Sequence, residues 1–498
     1  MFQKLFTAKQ IKEIDNQTII RQNITSEALM ERAVNSLHKH VVKEVSFEKH
    51  IYIFCGKGNN GGDGLVLARM LQPVYNVTCV IVPFSKKASA DFESNLIKLQ
   101  NLPVKVIELS KDTTLNITKN DIIIDAIFGT GLSRPATGIA QKAIEIINHS
   151  DAKILSIDMP SGLYADRSNA TDDPIVKADK VYSFQFPKIS FFFPENASYV
   201  KDFEIVDIGL DKNVIKEMPT KYFLLTSKIE NLLRKRSKFS YKNKFGHALI
   251  VGGSYGMIGA PVLASKAALR IGAGLVTNYL PRCGYTISQT YVPEVMTITD
   301  SSKKYLTDIE IPDKITAIGI GMGMRSKVKT QKALKQFLKT NDKNLLLDAD
   351  ALNILSLHKK WLKNVPKNSI LTPHEGEFKR LVGNWQNDTE KWQKLMEFSA
   401  KHQVITVLKG AYTTISDGDF FYINPVANAA LATAGSGDVL SGIITGLLAQ
   451  AYHPLEAALL GVYLHAQTAE KYIENHRDFS MIASDIIREL KVTLRQAQ

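Results

Sequence analysis

Cysteine is scarce in this sequence, and Cys55, Cys79 and Cys283 are odd in number, far apart and without the paired spacing of a zinc site or disulfide scaffold. Such usage suits a reducing compartment, so a cytoplasmic protein is expected. Long apolar runs are missing as well, since none approaches the ~18 residues a membrane helix needs. The opening MFQKLFTAKQIKEID spaces Phe2, Leu5, Phe6, Ile11 and Ile14 at roughly helical intervals, and polar residues arrive too early for a secretory core. No signal peptide and no membrane association are therefore expected. A repeat of roughly 20–50 residues and low-complexity tracts are also lacking, which argues against solenoids and disordered arrays.

What is present is a globular composition, 45% hydrophobic and 22% charged over 498 residues, too long for one ordinary core. Two domains are the natural division. The formal charge of +13 suits nucleic acid, a membrane surface or small acidic substrates, and charge alone does not choose among them. The densest basic run, RKRSKFSYKNK at 234–244, leads directly into a buried-looking strand. Only Phe239, Tyr241 and Phe245 offer base stacking there, so it reads as a solvated connector rather than a nucleic-acid site.

Between residues 50 and 210, the runs HIYIFC, VTCVIVPF, DIIIDAIF, AKILSID and KADKVYSF read as buried strands with helices between them, the pattern of a mostly parallel α/β sheet. The pattern pauses over 211–244 and restarts with HALIVGG, GLVTNYL, ITAIGIG, KNLLLDAD, QVITVLKG and FFYINP. This predicts two α/β domains, 1–221 and 222–498.

In the first half, CGKGNNGGDG at 55–64 lies between an apolar strand and a helix, where backbone N–H groups converge into a phosphate cradle. Gly56, Gly58 and Gly61 satisfy GxGxxG, but VTCVIVPF ends without the acidic residue that an ordinary dinucleotide site places after its second strand. DIIIDAIFGTGLSRP and LSIDMPSG end two further strands, which would bring Asp125, Asp158 and Ser161 to the same sheet edge. Carboxylate, amide and hydroxyl oxygens together suit a hard cation. A helix cap would explain Asp125 alone, but not three strand ends together.

LMERA (29–33), GKGNNGGDG, DAIFGTGLSRP and IDMPSG closely resemble the NAD(P)H-hydrate epimerase domain over nearly all of residues 1–215. The resemblance implies that substrate is held by Asn59, Asn60, Gly61, Gly62 and Asp63 of the first loop. It likewise implies Gly129, Thr130, Gly131, Leu132, Ser133, Arg134 and Pro135 of the second loop. Potassium would be bound by Asn60, Asp125 and Ser161, and Asp158 would contact the reacting nicotinamide ring, where it is expected to act as acid or base.

In the second half, the run NAALATAGSGDVLSGIITGLLAQ at 428–450 places AGSGD at the start of a long apolar helix, so that glycine backbone can surround an anion with Asp438 beside it in the first turn. A carboxylate there can take a proton from a hydroxyl while fixed N–H dipoles hold the charge that develops during phosphoryl transfer. The plain alternative is a capped helix with Asp438 as its dipole partner. This motif resembles the GxGD signature of the ribokinase-like superfamily. With FGHALIVGGSYGMIGAPVLASKAALRIGAGLVT, GIGMG, LLDADALN, LTPHEGEF and VLKGAYT, the half closely resembles the NAD(P)H-hydrate dehydratase branch.

That resemblance implies a substrate pocket of Ala260, Gly323, His374 and Asp438, with adenine nucleotide held by Lys409, Gly410, Ala411, Tyr412, Thr413 and Gly437. Asp438 would be the catalytic base. His374, following Pro373, has the alternative of bonding the local backbone. The asparagine–glutamate pair with which the wider superfamily often holds magnesium is not placed, and Glu375 or Glu377 are the candidates.

The whole predicts a Rossmann-like three-layer α/β sandwich followed by a ribokinase-like α/β domain. The expected function is epimerisation of R and S NADHX and NADPHX, then dehydration of the S form at the expense of ADP or ATP with Mg2+, ADP being favoured by the bacterial-type fusion. A homo-oligomer is implied. A vitamin or sugar kinase would share GSGD, but VGGSYGMIGA and LTPHEGEF favour the dehydratase branch. Intact Asn60, Asp125, Asp158 and Ser161 weigh against a non-catalytic scaffold.

Overall fold

The computed structural model describes residues 1–477 and 480–496. It divides into two compact units, one of Lys4–Thr220 with Asn387–Thr389, the other of Met1–Gln3, Lys221–Gln386 and the chain from Glu390. Strand β1 (Phe2–Leu5) opens the chain and joins the sheet of the second unit at its edge. The helical spacing read through Phe2 and Leu5 is thus corrected: the helix begins only at Ala8, behind a Thr7–Gln10 capping box. A single spacing of three suits a helix but is too short to fix one, and in the strand Phe2 and Leu5 fall on opposite faces. Here the ring of Phe2 settles against Phe223 and Tyr422, with centroids 5.9 and 5.4 Å away, which favours the strand.

The first unit is built on β2 (His50–Gly56), β3 (Asn76–Val82), β4 (Lys105–Glu108), β5 (Ile122–Ala126), β6 (Lys153–Ile157), β7 (Lys180–Phe184) and β8 (Phe203–Val206). They form a parallel sheet in the order β4-β3-β2-β5-β6-β7-β8. Both faces are covered: Ile51, Ile53 and Cys55 enter one core, and Tyr52 and Phe54 the other. That makes the expected three-layer sandwich and explains why β2 is a continuous apolar run. Strands β4 and β8 went unread because they lie at the edges, where β4 is short and largely exposed. The order reverses between β2 and β5, so the loops after these strands diverge and leave a crevice.

The second sheet runs from β1 through β9 (Tyr222–Leu225), then β10 (His247–Val251), β11 (Leu275–Leu280), β12 (Met296–Thr299), β13 (Ala317–Ile320), β14 (Asn344–Leu347), β15 (Ile370–Leu371), β16 (Ile405–Leu408), β17 (Thr414–Ser416) and β18 (Phe421–Ile423). Its order is β1-β9-β18-β17-β16-β15-β14-β13-β10-β11-β12, with β10 to β16 parallel and β16-β17-β18 antiparallel. Strand β9 falls in the stretch where the pattern paused, its aromatic residues packing on β18. The reversal lies between β10 and β13. Helix Ser436–Ala449 is buried almost throughout against helix Gly259–Arg270, with Gly442 directly over the Ala264 backbone. Among the described residues no helix is long and apolar enough to cross a membrane.

Candidate active sites

In the first unit, Asn59 and Asn60 begin a helix, Asn59–Leu71, that Gly58 caps without a side chain. A helix start of this kind leaves backbone donors for an anion. Gly62 sits against Met30 of LMERA, so that motif packs behind the cradle rather than lining it. Asn60 is 7% exposed; its Nδ2 donates to the Ile157 carbonyl at 2.9 Å, while its Oδ1 is buried without a hydrogen-bond partner.

The register sets Asp125 beside Ser156 on β6. The buried Asp125 carboxylate accepts from Ser156 Oγ (2.8 Å), the Ser161 amide (2.8 Å), Ser161 Oγ (2.5 Å) and the Ile127 amide (3.3 Å). Burial nevertheless raises its pKa against these bonds, because they supply no net positive charge. Ser161 in turn accepts from the Phe128 amide at 2.8 Å, tying the third strand end to the loop that follows β5.

Asp158 is 9% exposed and takes a left-handed φ of 67° just beyond β6. Its Oδ1 accepts from Lys188 Nζ at 2.6 Å and the Phe184 amide at 3.1 Å. Its Oδ2 lies toward Gly129, where an added Cβ would be 3.5 Å from it and 3.4 Å from Asn60 Nδ2. The structure therefore brings Asn60, Gly129 and Asp158 together. Gly131, Ser133, Arg134 and Pro135 instead carry the same loop into solvent, with the Ser133 carbonyl tethered by Arg167 at 2.7 Å. Around Asp158, Asp15 is pushed up to about 7 and Asp63 is raised well above the ordinary carboxylate range, each by burial first and by the Asp158 charge second.

In the second unit, the loops after β10 and β13 run together: the Gly253 amide donates to Met322 O at 2.8 Å, and Ser254 Oγ to Gly323 O at 2.8 Å. This places Gly323 against Ala260, whose Cβ is 3.3 Å from where a Gly323 Cβ would stand. Asp348, His374 and Lys409 follow the neighbouring strands β14, β15 and β16. Lys409 Nζ pairs with Asp348 Oδ1 at 2.9 Å, and Asp348 Oδ2 accepts from Ser441 Oγ at 2.7 Å.

Asp438 lies in the first turn of helix Ser436–Ala449, behind Gly435 at φ 86°, a conformation that favours glycine and leaves no capping side chain. Burial, then the Asp348 charge, pushes the Asp438 carboxyl up to about 7, with Lys409 opposing. Burial works to lower the Lys409 ammonium, but Asp348, Glu377 and Asp438 outweigh it and keep it raised. The turn 409–413 is closed by Thr413 Oγ1 donating to Gly410 O at 3.2 Å, with Gly410 and Ala411 exposed. Gly437 adjoins Lys409, as a Cβ there would be 3.5 Å from Nζ.

His374 does bond the local backbone: Nδ1 accepts from the Gly376 and Glu377 amides at 3.0 and 3.4 Å, capping helix Glu375–Val382. The ring is otherwise exposed, with Nε2 3.5 Å from Glu377 Oε1. Glu377 returns the cap by accepting from the His374 amide at 2.9 Å, and Glu375 stands exposed, 3.9 Å from Lys391. Among the described residues no group of three or more His, Cys, Asp or Glu is placed to hold a metal ion.

Two family models match the chain, YjeF-related protein N-terminus over residues 26–190 and NAD(P)H-hydrate dehydratase over residues 248–492. The bifunctional NAD(P)H-hydrate repair enzyme Nnr of Moorella thermoacetica is 34% identical over 99% of this chain and 97% of its own. This chain belongs to the bifunctional NAD(P)H-hydrate repair enzyme family. The member from Coxiella burnetii is 33% identical over 98% of this chain and 99% of its own. Among solved structures, the ADP/ATP-dependent NAD(P)H-hydrate dehydratase of Bacillus subtilis, crystallised with ATP and Mg2+, is 31% identical, covering 55% of this chain and 98% of that one (TM-score 0.49).

For a member of this repair family, sequence reasoning passed over Lys188, Asp348 and His465. Lys188 is fully buried, donating also to Ser183 Oγ and the Phe186 carbonyl. Its signal was a single charge inside the aromatic run SFQFPKISFFF. His465 lies beneath the AGSGD loop with Nε2 3.1 Å from Ser436 O, and burial holds it down at about 4. Nothing in the sequence pointed to it.

The tightness of the first cradle is testable. A Cβ on Gly61 would run into the Gly56 carbonyl, whereas one on Gly58 meets nothing within 4 Å. Gly61→Ala is expected to destabilise the first unit by ~3 kcal/mol, and Gly58→Ala to stay within about 1 kcal/mol, as read by calorimetry. Equal effects would disprove the close approach.

Proposed function

We propose that this chain repairs hydrated NADH and NADPH, the first unit interconverting the epimers and the second dehydrating the S form at the expense of ADP or ATP. One observation carries the reading: a carboxyl pushed up to about 7, Asp438, stands in the first turn of an uncapped helix beside the raised Lys409 ammonium. A base with a value near neutrality can take the proton of the ring hydroxyl as its oxygen attacks the terminal phosphoryl group. Helix N–H groups and Lys409 would hold the transferred group. The C–O bond then breaks, phosphate leaves with its electron pair, a proton leaves the neighbouring ring carbon, and the dihydropyridine double bond is restored. AMP or ADP is the other product. Ala260, Gly323 and His374 would line the hydrate side, and Lys409, Gly410, Ala411, Tyr412, Thr413 and Gly437 the nucleotide side. Magnesium would come on the nucleotide's phosphates, which commonly bind it.

In the first unit, a potassium ion fits what is found: a buried, unpartnered Asn60 Oδ1 and a buried Asp125 carboxylate with hydrogen bonds but no cationic partner among the described residues. Asn60, Asp125 and Ser161 would hold it, and its charge would offset that of Asp125 and help fix the phosphate loops. Asp158, with Oδ1 engaged by Lys188, would present Oδ2 to the substrate as acid or base. Residues 59–63 and 129–135 would hold the phosphates. The protein is proposed to work as a homo-oligomer in the cytoplasm, in keeping with its three unpaired cysteines.

The test is recovery of reduced-nicotinamide absorbance from mixed hydrate epimers with potassium, magnesium and either nucleotide. Full recovery with one phosphate released per dinucleotide is expected. Recovery that stops at the S form would disprove the epimerase assignment. A stable phosphoester without NADH or NADPH would instead make the second unit a kinase.

A further inference from the structure

We propose that Asp348 is a positioning residue for the dehydratase reaction, its buried carboxylate holding the Lys409 ammonium at the start of the helix that carries Asp438. The inference rests on the function proposed above. Asp348 is 1% exposed and follows directly on β14. Each of its oxygens is taken by a different element: Oδ1 by Lys409, which follows β16, and Oδ2 by Ser441, one turn into helix Ser436–Ala449. One carboxylate thus ties two strand ends to the helix.

The consequence for Lys409 is geometric. A lysine side chain has several rotatable bonds and, left in solvent, would spread its charge over many positions. Here Nζ is fixed beneath the glycine loop, 3.5 Å from the point where a Gly437 Cβ would stand. This is where a phosphoryl group on the helix N-terminus would need its counter-charge. Without the Asp348 carboxylate the half-buried Lys409 ammonium would keep its charge but lose the partner that fixes its position beneath the loop.

The backbone around Asp348 is held as tightly as the side chain. The Asp348 amide donates to Ile320 O at 3.0 Å and the Asp350 amide to Gly321 O at 3.2 Å. Between them Ala349 is forced to φ 48°, ψ −117°, which an L residue rarely adopts. A well-packed apolar pair would serve stability at least as well as a buried ion pair, so stability alone does not account for this arrangement.

Asp348 also acts on Asp438 through space. Asp348 and Asp350, from the β14 turn, raise the Asp438 value, and Lys409, from the β16 end, lowers it. Glu377 on helix Glu375–Val382 faces Lys409, and His465 on helix Pro454–His476 lies under Ser436. Removing only the Asp348 charge leaves Lys409 less compensated, so the Asp438 base should ionise at lower pH.

The experiment is steady-state dehydration by full-length Asp348→Asn, with epimerisation by the same chain as a control for folding. The expected result is a fall in kcat of about 10²-fold, comparable with small misplacements of reacting groups. The acid limb of the kcat profile should also move to lower pH, with partial rescue by Asp348→Glu and unchanged epimerisation. A merely structural residue would lower Tm while leaving kcat and the limb where they are well below that Tm, and that result overturns the proposal. If Asp348→Asn does not fold, Ser441→Ala decides: it keeps every charge and frees Oδ2, and kcat should fall several-fold. Wild-type kcat in Ser441→Ala would then overturn the proposal. A wild-type chain that fails to dehydrate the hydrate is a different outcome, and it sinks the parent reading instead.

Discussion

Asp438→Asn is expected to cut dehydration by roughly 10²–10⁴-fold, the usual contribution of a positioned general base, while epimerisation continues at the wild-type rate. The amide is nearly isosteric with the carboxylate, so the Gly435 turn and the helix start should survive. What is lost is the capacity to take the hydroxyl proton. Because burial pushes Asp438 up to about 7, the wild-type rate should climb as pH rises through that value and level off above it. The asparagine chain should show no such limb. The raised value also makes the native state the tighter proton binder between 3.8 and about 7, so this group's contribution to stability falls as pH rises through that window. Rate profiles from about pH 5 to 9, recorded by reduced-nicotinamide absorbance, check the assignment. An asparagine variant that keeps the wild-type rate would remove Asp438 from the chemistry.

The parts of the molecule that were legible in the sequence are those whose physics is local. Strands β2, β5 and β6 are buried on both faces, so they appear as largely apolar runs, and Asn60, Asp125 and Asp158 lie at or just beyond their carboxyl ends. Strand β4 is exposed and short, and β1 is defined by its distant partner β9; neither leaves a periodic trace. The same division holds inside the sites. Asp438 was readable because AGSGD carries its own geometry, with glycine needed at φ 86°. Asp348 was not, since its meaning comes from Lys409 and Ser441, which are 61 and 93 residues away. His374 shows a further limit: a histidine that faces a ligand and one that caps a helix have the same sequence around them, and only the backbone amides of Gly376 and Glu377 show that it caps.

Lys188 is the residue whose loss should affect the first unit most. In Lys188→Met an apolar chain of similar length replaces the ammonium, so packing is largely kept while Asp158, Ser183 and the Phe186 carbonyl lose their donor. Breaking a buried pair by removing one member costs ~3–5 kcal/mol, because the remaining charge is left uncompensated. For a unit of this size that corresponds to a Tm lower by roughly 6–20 °C. Epimerisation should fall with it, since Asp158 Oδ1 would keep only the Phe184 amide and Oδ2 would lose its fixed direction toward Gly129. Dehydration by the second unit should persist below the first transition. Calorimetry of the full chain reads the stability, and a double variant separates the two roles. Adding Asp158→Asn to Lys188→Met removes the stranded charge, so part of the lost Tm should return while epimerisation stays absent. If Lys188→Met instead unfolds at the wild-type temperature and still epimerises, the pair neither supports the fold nor aims Asp158.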